Sequence, residues 1–256
     1  MIKLIACDID GTLVYGYNSG VVDEVFNQIR RLAGLGIRFC PTSGRQQTSL
    51  RQLFAPVADE LYYICENGAV IFGPGGADNV LDKVTMDQTL ALELCHDIIS
   101  IPGCDIQISG QDRSYLCPKS DEIVTLMRDT VGNNVTILSS PDEIPEPIVK
   151  VAAFYPAGAE FIEPLLAPRW SKYFRTAISG DAWVDFNSTD KGDGLRRLCR
   201  SLDIPLSDVM AFGDSYNDAA MLEAAGHAYI MEGACAELLA RFPNHCDRVE
   251  RILAQI

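Results

Sequence analysis

Hydrophobic positions in this chain alternate between short solid blocks and longer periodic stretches. Residues 1–7 form a mostly apolar run that ends directly in Asp8-Ile9-Asp10-Gly11-Thr12-Leu13. A short block of that kind predicts a strand buried in a parallel sheet. Between 21 and 35 the apolar residues fall at Val21, Val22, Val25, Ile29 and Leu32, a helical stripe that Gly34 and Gly36 close. A strand at 37–41, a helix at 46–54 and a strand at 61–65 follow. Two short strands, 69–72 and 80–83, flank Gly73-Pro74-Gly75-Gly76-Ala77-Asp78-Asn79. That Gly-rich loop has no following Gly-Lys-Ser/Thr and no helix, so it reads as a hairpin turn and not a phosphate cradle.

From residue 84 the texture changes. Helices are expected at 86–100, 121–130 and 159–166. Strands are expected at 106–108, 114–117, 135–138, 149–155, 173–176 and 183–186. This mixed block reads as an inserted α+β domain, 84–186, between two parts of one α/β core, 1–83 and 187–256. The alternation resumes with a helix at 191–201, a strand at 209–212, a helix from Ala219, a strand at 228–231 and helices at 236–242 and 248–254. The fold class predicted is α/β, a parallel sheet interrupted by an α+β insertion.

Composition narrows the function. Hydrophobic residues make up 48% of 256 residues, which suits a folded core. The formal net charge of −14 disfavours a nucleic-acid partner, which would require a basic surface. Nine cysteines, none in Cys-x-x-Cys, read as small buried hydrophobes and not as a disulfide framework or zinc site. The first residues lack a signal-peptide pattern and no stretch reaches the ~20 apolar residues of a membrane span. A soluble cytoplasmic protein is the expectation, and oligomeric state is unreadable.

The candidate chemistry sits just after predicted strands, where open α/β sheets bind ligands. Asp8 and Asp10, two apart at a strand end, project the same way and need a proton or a divalent cation between them. Gly213-Asp214-Ser215-Tyr216-Asn217-Asp218 again follows a strand, with two acids one helical turn apart. Such carboxylates suit a hard cation, although helix capping would also account for them. Thr42-Ser43-Gly44-Arg45 supplies a hydroxyl and a guanidinium. Lys191 opens a helix, where a lysine is electrostatically out of place unless Asp190 and Asp193 neutralise it in solvent or it helps the helix terminus hold an anion. His96, His227 and His245 are scattered and share no motif.

Together these strings resemble the haloacid dehalogenase-like superfamily, and the insertion resembles the IIB cap of its Cof-type phosphatases. Glu66-Asn67-Gly68-Ala69 resembles a loop string of that branch, although a hairpin entry explains it equally well. The resemblance implies a Rossmann-like core and a cap that selects the substrate. It makes Asp8 the nucleophile and Asp10 the general acid/base. Mg²⁺ would be held by Asp8, the Asp10 carbonyl and Asp214, with Asp218 behind them. Gly11, Thr12, Ser43 (or Thr42), Gly44, Arg45, Lys191 and Asn217 would face the phosphate or substrate. The activity implied is hydrolysis of small phosphorylated metabolites through an aspartyl-phosphate. A phosphomutase and a catalytically idle phospholigand-binding protein are the rival readings. A dehalogenase is disfavoured by Asp214 and Asp218.

Overall fold

The computed structural model of the protein describes residues 1–14, 20–76 and 78–256. It divides into two compact units, Met1–Asp82 with Asp190–Ile256, and Lys83–Thr189. Lys83 and residues 187–189 therefore go with the insertion and not with the flanking core. The strand Trp183–Asn187 explains the later boundary, because Asn187, its last residue, is still paired with Lys150 and Arg175.

The first unit is built on a five-stranded sheet in the order His245–Cys246, His227–Met231, Val209–Gly213, Leu4–Cys7, Arg38–Pro41. Every pairing in it is parallel. Leu4–Cys7 lies at the interior of the sheet and is wholly buried, which is why its sequence is continuously apolar and not alternating. Leu4 and Ala6 pack with Leu195, Leu198 and Cys199 of the helix Lys191–Ser201 and with Met221 and Leu222 of the helix Ala219–Ala224. The register sets Cys7 opposite both Phe212 and Pro41. The residues that follow, Asp8, Gly213-Asp214 and Thr42-Ser43, consequently leave the sheet at the same edge. A small sheet of Tyr63–Cys65, Val70–Phe72 and Val80–Lys83 stands beside Thr42, which bridges to Ile64. The expected turn at 73–79 is closed by Gly73 N–H donating to Asn79 C=O, 2.8 Å; its Ala77 lies outside the described residues.

The second unit is a six-stranded sheet in the order Arg175–Ser179, Trp183–Asn187, Lys150–Phe154, Asp105–Ser109, Ser114–Leu116, Val135–Ile137. Helices Gln88–Ser100 and Ala159–Trp170 pack on Ile106, Ile108, Val151, Ala153, Val184 and Phe186. The intervening side chains, Gln107, Ser109, Lys150, Asp185 and Asn187, are polar yet buried. Period 2 places them on the opposite face.

Two expectations for this unit need correction and one, the helix at 121–130, is refined. The helix predicted at 159–166 runs on to Trp170 through Pro164 and Pro168. Trp170 is buried and stacks on Phe174, so core packing outweighs the hydrogen bonds the prolines forfeit. The helix at 121–130 is an α-turn, Asp121–Thr125, that widens to a π-helix at Leu126–Thr130. The strand expected at 173–176 is Arg175–Ser179, displaced by its pairing with Trp183–Asn187. In the first unit, the two-residue strand His245–Cys246 was too short to leave a periodic signature.

Candidate active site

After Cys7 the chain makes a tight loop. Leu13 and Val14 N–H both donate to Ile9 C=O at 2.8 Å, and Gly11 N–H donates to Val14 C=O at 2.9 Å. Gly11 has φ +93°, and a Cβ there would lie 2.3 Å from Asp214 Oδ2, so the position admits no side chain. This close approach packs the loop from one strand against the acid that follows another. The Thr12 hydroxyl donates to Asp214 Oδ1 at 2.9 Å. This contact orients Asp214.

Lys191 ties the two loops together. Its ammonium donates to Asp8 Oδ1 and Asp218 Oδ1, each at 2.6 Å, and all three residues are buried. The lysine stands at the first position of its helix, whose Asp190 cap accepts Asp193 N–H at 2.7 Å. Asp218 uses its other oxygen to accept the N–H groups of Asp214 and Ser215, both at 3.0 Å. The sequence offered no reason to expect the Asp218–Lys191 contact beyond the four-residue spacing of Asp214 and Asp218.

Oxygens of Asp8, Asp214 and Asp218 lie within 4.8 Å of one another. Burial and then the Asp218 charge push the Asp8 carboxyl well above the ordinary range, against the pull of Lys191. Asp214 is raised by the same two causes, burial first. Burial works against the Lys191 ammonium, but Asp218 and Asp8 outweigh it and hold its pKa above the usual lysine value. Three carboxylates share one ammonium, so the cluster is short of positive charge. Asp218 has both oxygens engaged, which leaves Asp8 and Asp214 to offer oxygens to an ion. Such an all-oxygen, anionic donor set fits a hard divalent cation.

The remaining candidates surround this centre. Ser43 is buried and its Oγ accepts Arg45 N–H at 3.2 Å. Thr42, the alternative hydroxyl, donates back to Cys40 C=O at 3.2 Å. Arg45 forms a fork on Asp10, Nε to Oδ2 at 2.8 Å and Nη2 to Oδ1 at 2.6 Å. Asp10 is half exposed, and its carboxylate faces Arg45 and is not part of the buried acidic cluster. Asn217 is half-buried in the single turn Tyr216–Asp218. Glu66 and Asn67 are buried, carry positive φ, 51° and 54°, and lie in the loop of the antiparallel hairpin that joins Tyr63–Cys65 to Val70–Phe72, as the hairpin reading expects.

All nine cysteines are free, and most are buried as expected; Cys235 is the exposed one. Among the described residues no helix is long and apolar enough to cross a membrane.

Comparison with known proteins matches residues 5–250 to the family model of haloacid dehalogenase-like hydrolases. The chain is 26% identical to the 5-amino-6-(5-phospho-D-ribitylamino)uracil phosphatase YbjI of Escherichia coli, over 93% of this chain and 88% of that protein. It is 27% identical to the phosphatase YwpJ of Bacillus subtilis, over 91% and 90%. A solved structure from Eubacterium rectale superposes with a TM-score of 0.86 at 31% identity, covering 99% of this chain and 98% of that one. The subclass IIB sugar phosphatase BT4131 shares the fold, with a TM-score of 0.81 at 20% identity over 99% and 98%. With its acidic strand-end cluster and a family match running nearly end to end, the chain belongs to the haloacid dehalogenase-like hydrolases, in their Cof-type branch, and is an enzyme of that family.

Proposed function

We propose that the protein is a magnesium-dependent phosphatase of small phosphorylated metabolites, working through an aspartyl-phosphate on Asp8. The observation that carries this reading is the buried Asp8, which has the Lys191 ammonium 2.6 Å away and Asp214 in the same cluster. A carboxylate held there can attack phosphorus while neighbouring positive charge stabilises the equatorial oxygens.

The Asp8 and Asp214 carboxylates and the Asp10 carbonyl would hold Mg²⁺, which when bound neutralises phosphoryl charge. Asp8 attacks phosphorus and the bond to the ester oxygen breaks. Asp10 gives its proton to the departing alkoxide, so the alcohol leaves neutral. Asp10 then takes a proton from water, whose oxygen attacks the aspartyl-phosphate and releases inorganic phosphate with Asp8 restored. Ser43 and Lys191 bind the phosphoryl oxygens, and Asn217 the phosphoryl group or substrate. Arg45 engages both Asp10 oxygens, so Asp10 leaves that fork to carry the proton. We assign leaving-group selection to the unit Lys83–Thr189, whose sheet carries the buried polar row of Gln107, Ser109, Lys150, Asp185 and Asn187. The free cysteines fit a reducing, cytoplasmic compartment.

The test is release of inorganic phosphate from p-nitrophenyl phosphate, with Mg²⁺ and with excess chelator, followed by a screen of phosphorylated metabolites. Metal-dependent turnover that vanishes in Asp8→Asn is expected. Equal turnover by the Asp8→Asn protein would overturn the assignment.

A further inference from the structure

Among the described residues, positive φ occurs at three non-glycine positions, Glu66, Asn67 and Asp203. Asp203 lies just beyond the C-cap of the helix Lys191–Ser201, where a left-handed residue is ordinary. Glu66 and Asn67 are adjacent, and Gly68 at φ +99° continues them. Three consecutive left-handed residues in a buried corner persist only where the surroundings over-determine them.

The surroundings are two loops of the proposed site. On one side, Asn67 N–H donates to Ser43 C=O at 3.0 Å and Glu66 N–H to Arg45 C=O at 3.1 Å. The turn is further held by Ser43 N–H on Ile64 C=O at 2.9 Å. The Asn67 amide covers the Gly44 Cα so closely that a Cβ there would meet Asn67 Oδ1 at 3.1 Å. On the other side, a Cβ on Gly68 would stand 2.1 Å from Asp190 C=O, and one on Gly194 2.8 Å from the Gly68 Cα. Arg197 donates to the Gly68 carbonyl as well. The corner is thus wedged between the Ser43–Arg45 turn and the first turn of the Lys191 helix.

The geometry points to Glu66-Asn67-Gly68 as the positioning element that sets the Ser43 hydroxyl relative to the Lys191 ammonium. The inference rests on the reading of Ser43 and Lys191 as phosphoryl-binding groups. It acts through the backbone: the left-handed turn presents two N–H donors to one loop and leaves room at Gly68 for the Asp190 carbonyl of the other. Asp214, which would hold the metal with Asp8, is reached by neither set of contacts, and Asp8 is reached only through Lys191. Distorting the corner should therefore weaken phosphoryl binding far more than metal affinity.

The experiment compares Asn67→Gly, Asn67→Val and Gly68→Ala with the parent. It measures the inhibition constant for orthovanadate, the dissociation constant for inorganic phosphate by calorimetry and the Mg²⁺ concentration for half-activation. Asn67→Gly keeps access to positive φ and should stay within about threefold of the parent, whereas valine strongly disfavours that region. Asn67→Val and Gly68→Ala should weaken vanadate and phosphate at least tenfold, with the Mg²⁺ midpoint within twofold. If Asn67→Val does not fold, Asn67→Ala, with a smaller left-handed penalty, is read in the same way. Folded variants that bind both anions like the parent overturn the inference, as does an equal loss of anion and metal affinity. A parent protein that neither hydrolyses phosphate esters nor binds either anion instead refutes the functional reading on which it rests.

Discussion

The Lys191 ammonium lies 2.6 Å from the Asp8 carboxylate, both groups are buried, and the two residues are 183 positions apart in the chain. A lysine so placed cannot shed its charge, because Asp218 is 2.6 Å away on its other side. Nor can Asp8 turn to solvent. The contact fixes Asp8, the proposed nucleophile, and it compensates only part of the negative charge that the fold has buried.

Removing that cation should therefore cost stability as well as activity. Lys191→Met leaves two buried carboxylates without their counter-charge, an effect of about 3–5 kcal/mol for a broken buried pair. Urea denaturation with chelator present checks it. Added Mg²⁺ should recover a larger share of stability in this variant than in the parent, since the ion supplies the charge that was lost.

The two strand-end aspartates should separate kinetically. Asp8→Asn removes the attacking atom, and turnover should fall by about three orders of magnitude or more. Asp10→Asn removes a proton donor and acceptor, worth about 10²–10⁴-fold. Steady-state rates on p-nitrophenyl phosphate check the first. For the second, the loss should be smaller for ester leaving groups of low pKa, because these leave without help. A uniform loss across leaving groups would contradict the acid role of Asp10.

Metal binding should be visible without catalysis. An ion that binds the folded chain alone raises its melting temperature with concentration. Scanning fluorimetry should show that rise for the parent and for Asp8→Asn to a lesser degree. Asp214→Ala should lose most of it. This assumes the Thr12 hydroxyl, 2.9 Å from Asp214 Oδ1, orients that acid for the ion. Thr12→Val should therefore shift the midpoint to higher Mg²⁺.

In the inserted unit, burial and then the Glu146 carboxylate push the Tyr115 phenol up to about 12 from its ordinary value of 10.0. Its hydroxyl donates to Glu146 Oε1 at 2.7 Å. Between those pH values the folded chain keeps a proton that the unfolded chain loses, so this group's contribution to stability falls as the pH rises above about 10. Tyr115→Phe lacks that titration. The parent should be more stable than Tyr115→Phe at neutral pH, by about 1 kcal/mol for the lost hydrogen bond. That advantage should shrink in alkaline solution, as read by urea midpoints across the range.

Much of this protein was legible in one dimension. A short block as uniformly apolar as 4–7 reads as a strand covered on both sides, and the acids that terminate it then stand at a sheet edge. The same logic located Asp214 and Ser43, because strand ends are local features. The Arg45–Asp10 fork was not legible: nothing in Thr42-Ser43-Gly44-Arg45 says where a flexible side chain finds its partner. The helix end at Trp170, beyond the expected 166, was not legible either, because it depends on Trp170 burying itself in the core of the inserted unit.

Periodicity and motif spacing thus outlined the layout of alternating strands and helices and the insertion, and named the candidate residues for chemistry. Folding alone decided which of them meet. The parallel register that sets Cys7 beside Phe212 and Pro41 brings the three loops to one edge. Burial then forces Asp8, Asp218 and Lys191 into contact, since charges removed from water must satisfy one another. The left-handed corner at Glu66 and Asn67 belongs to the same category. No local preference of a glutamate calls for positive φ; the hairpin turn and the loops packed around it impose it.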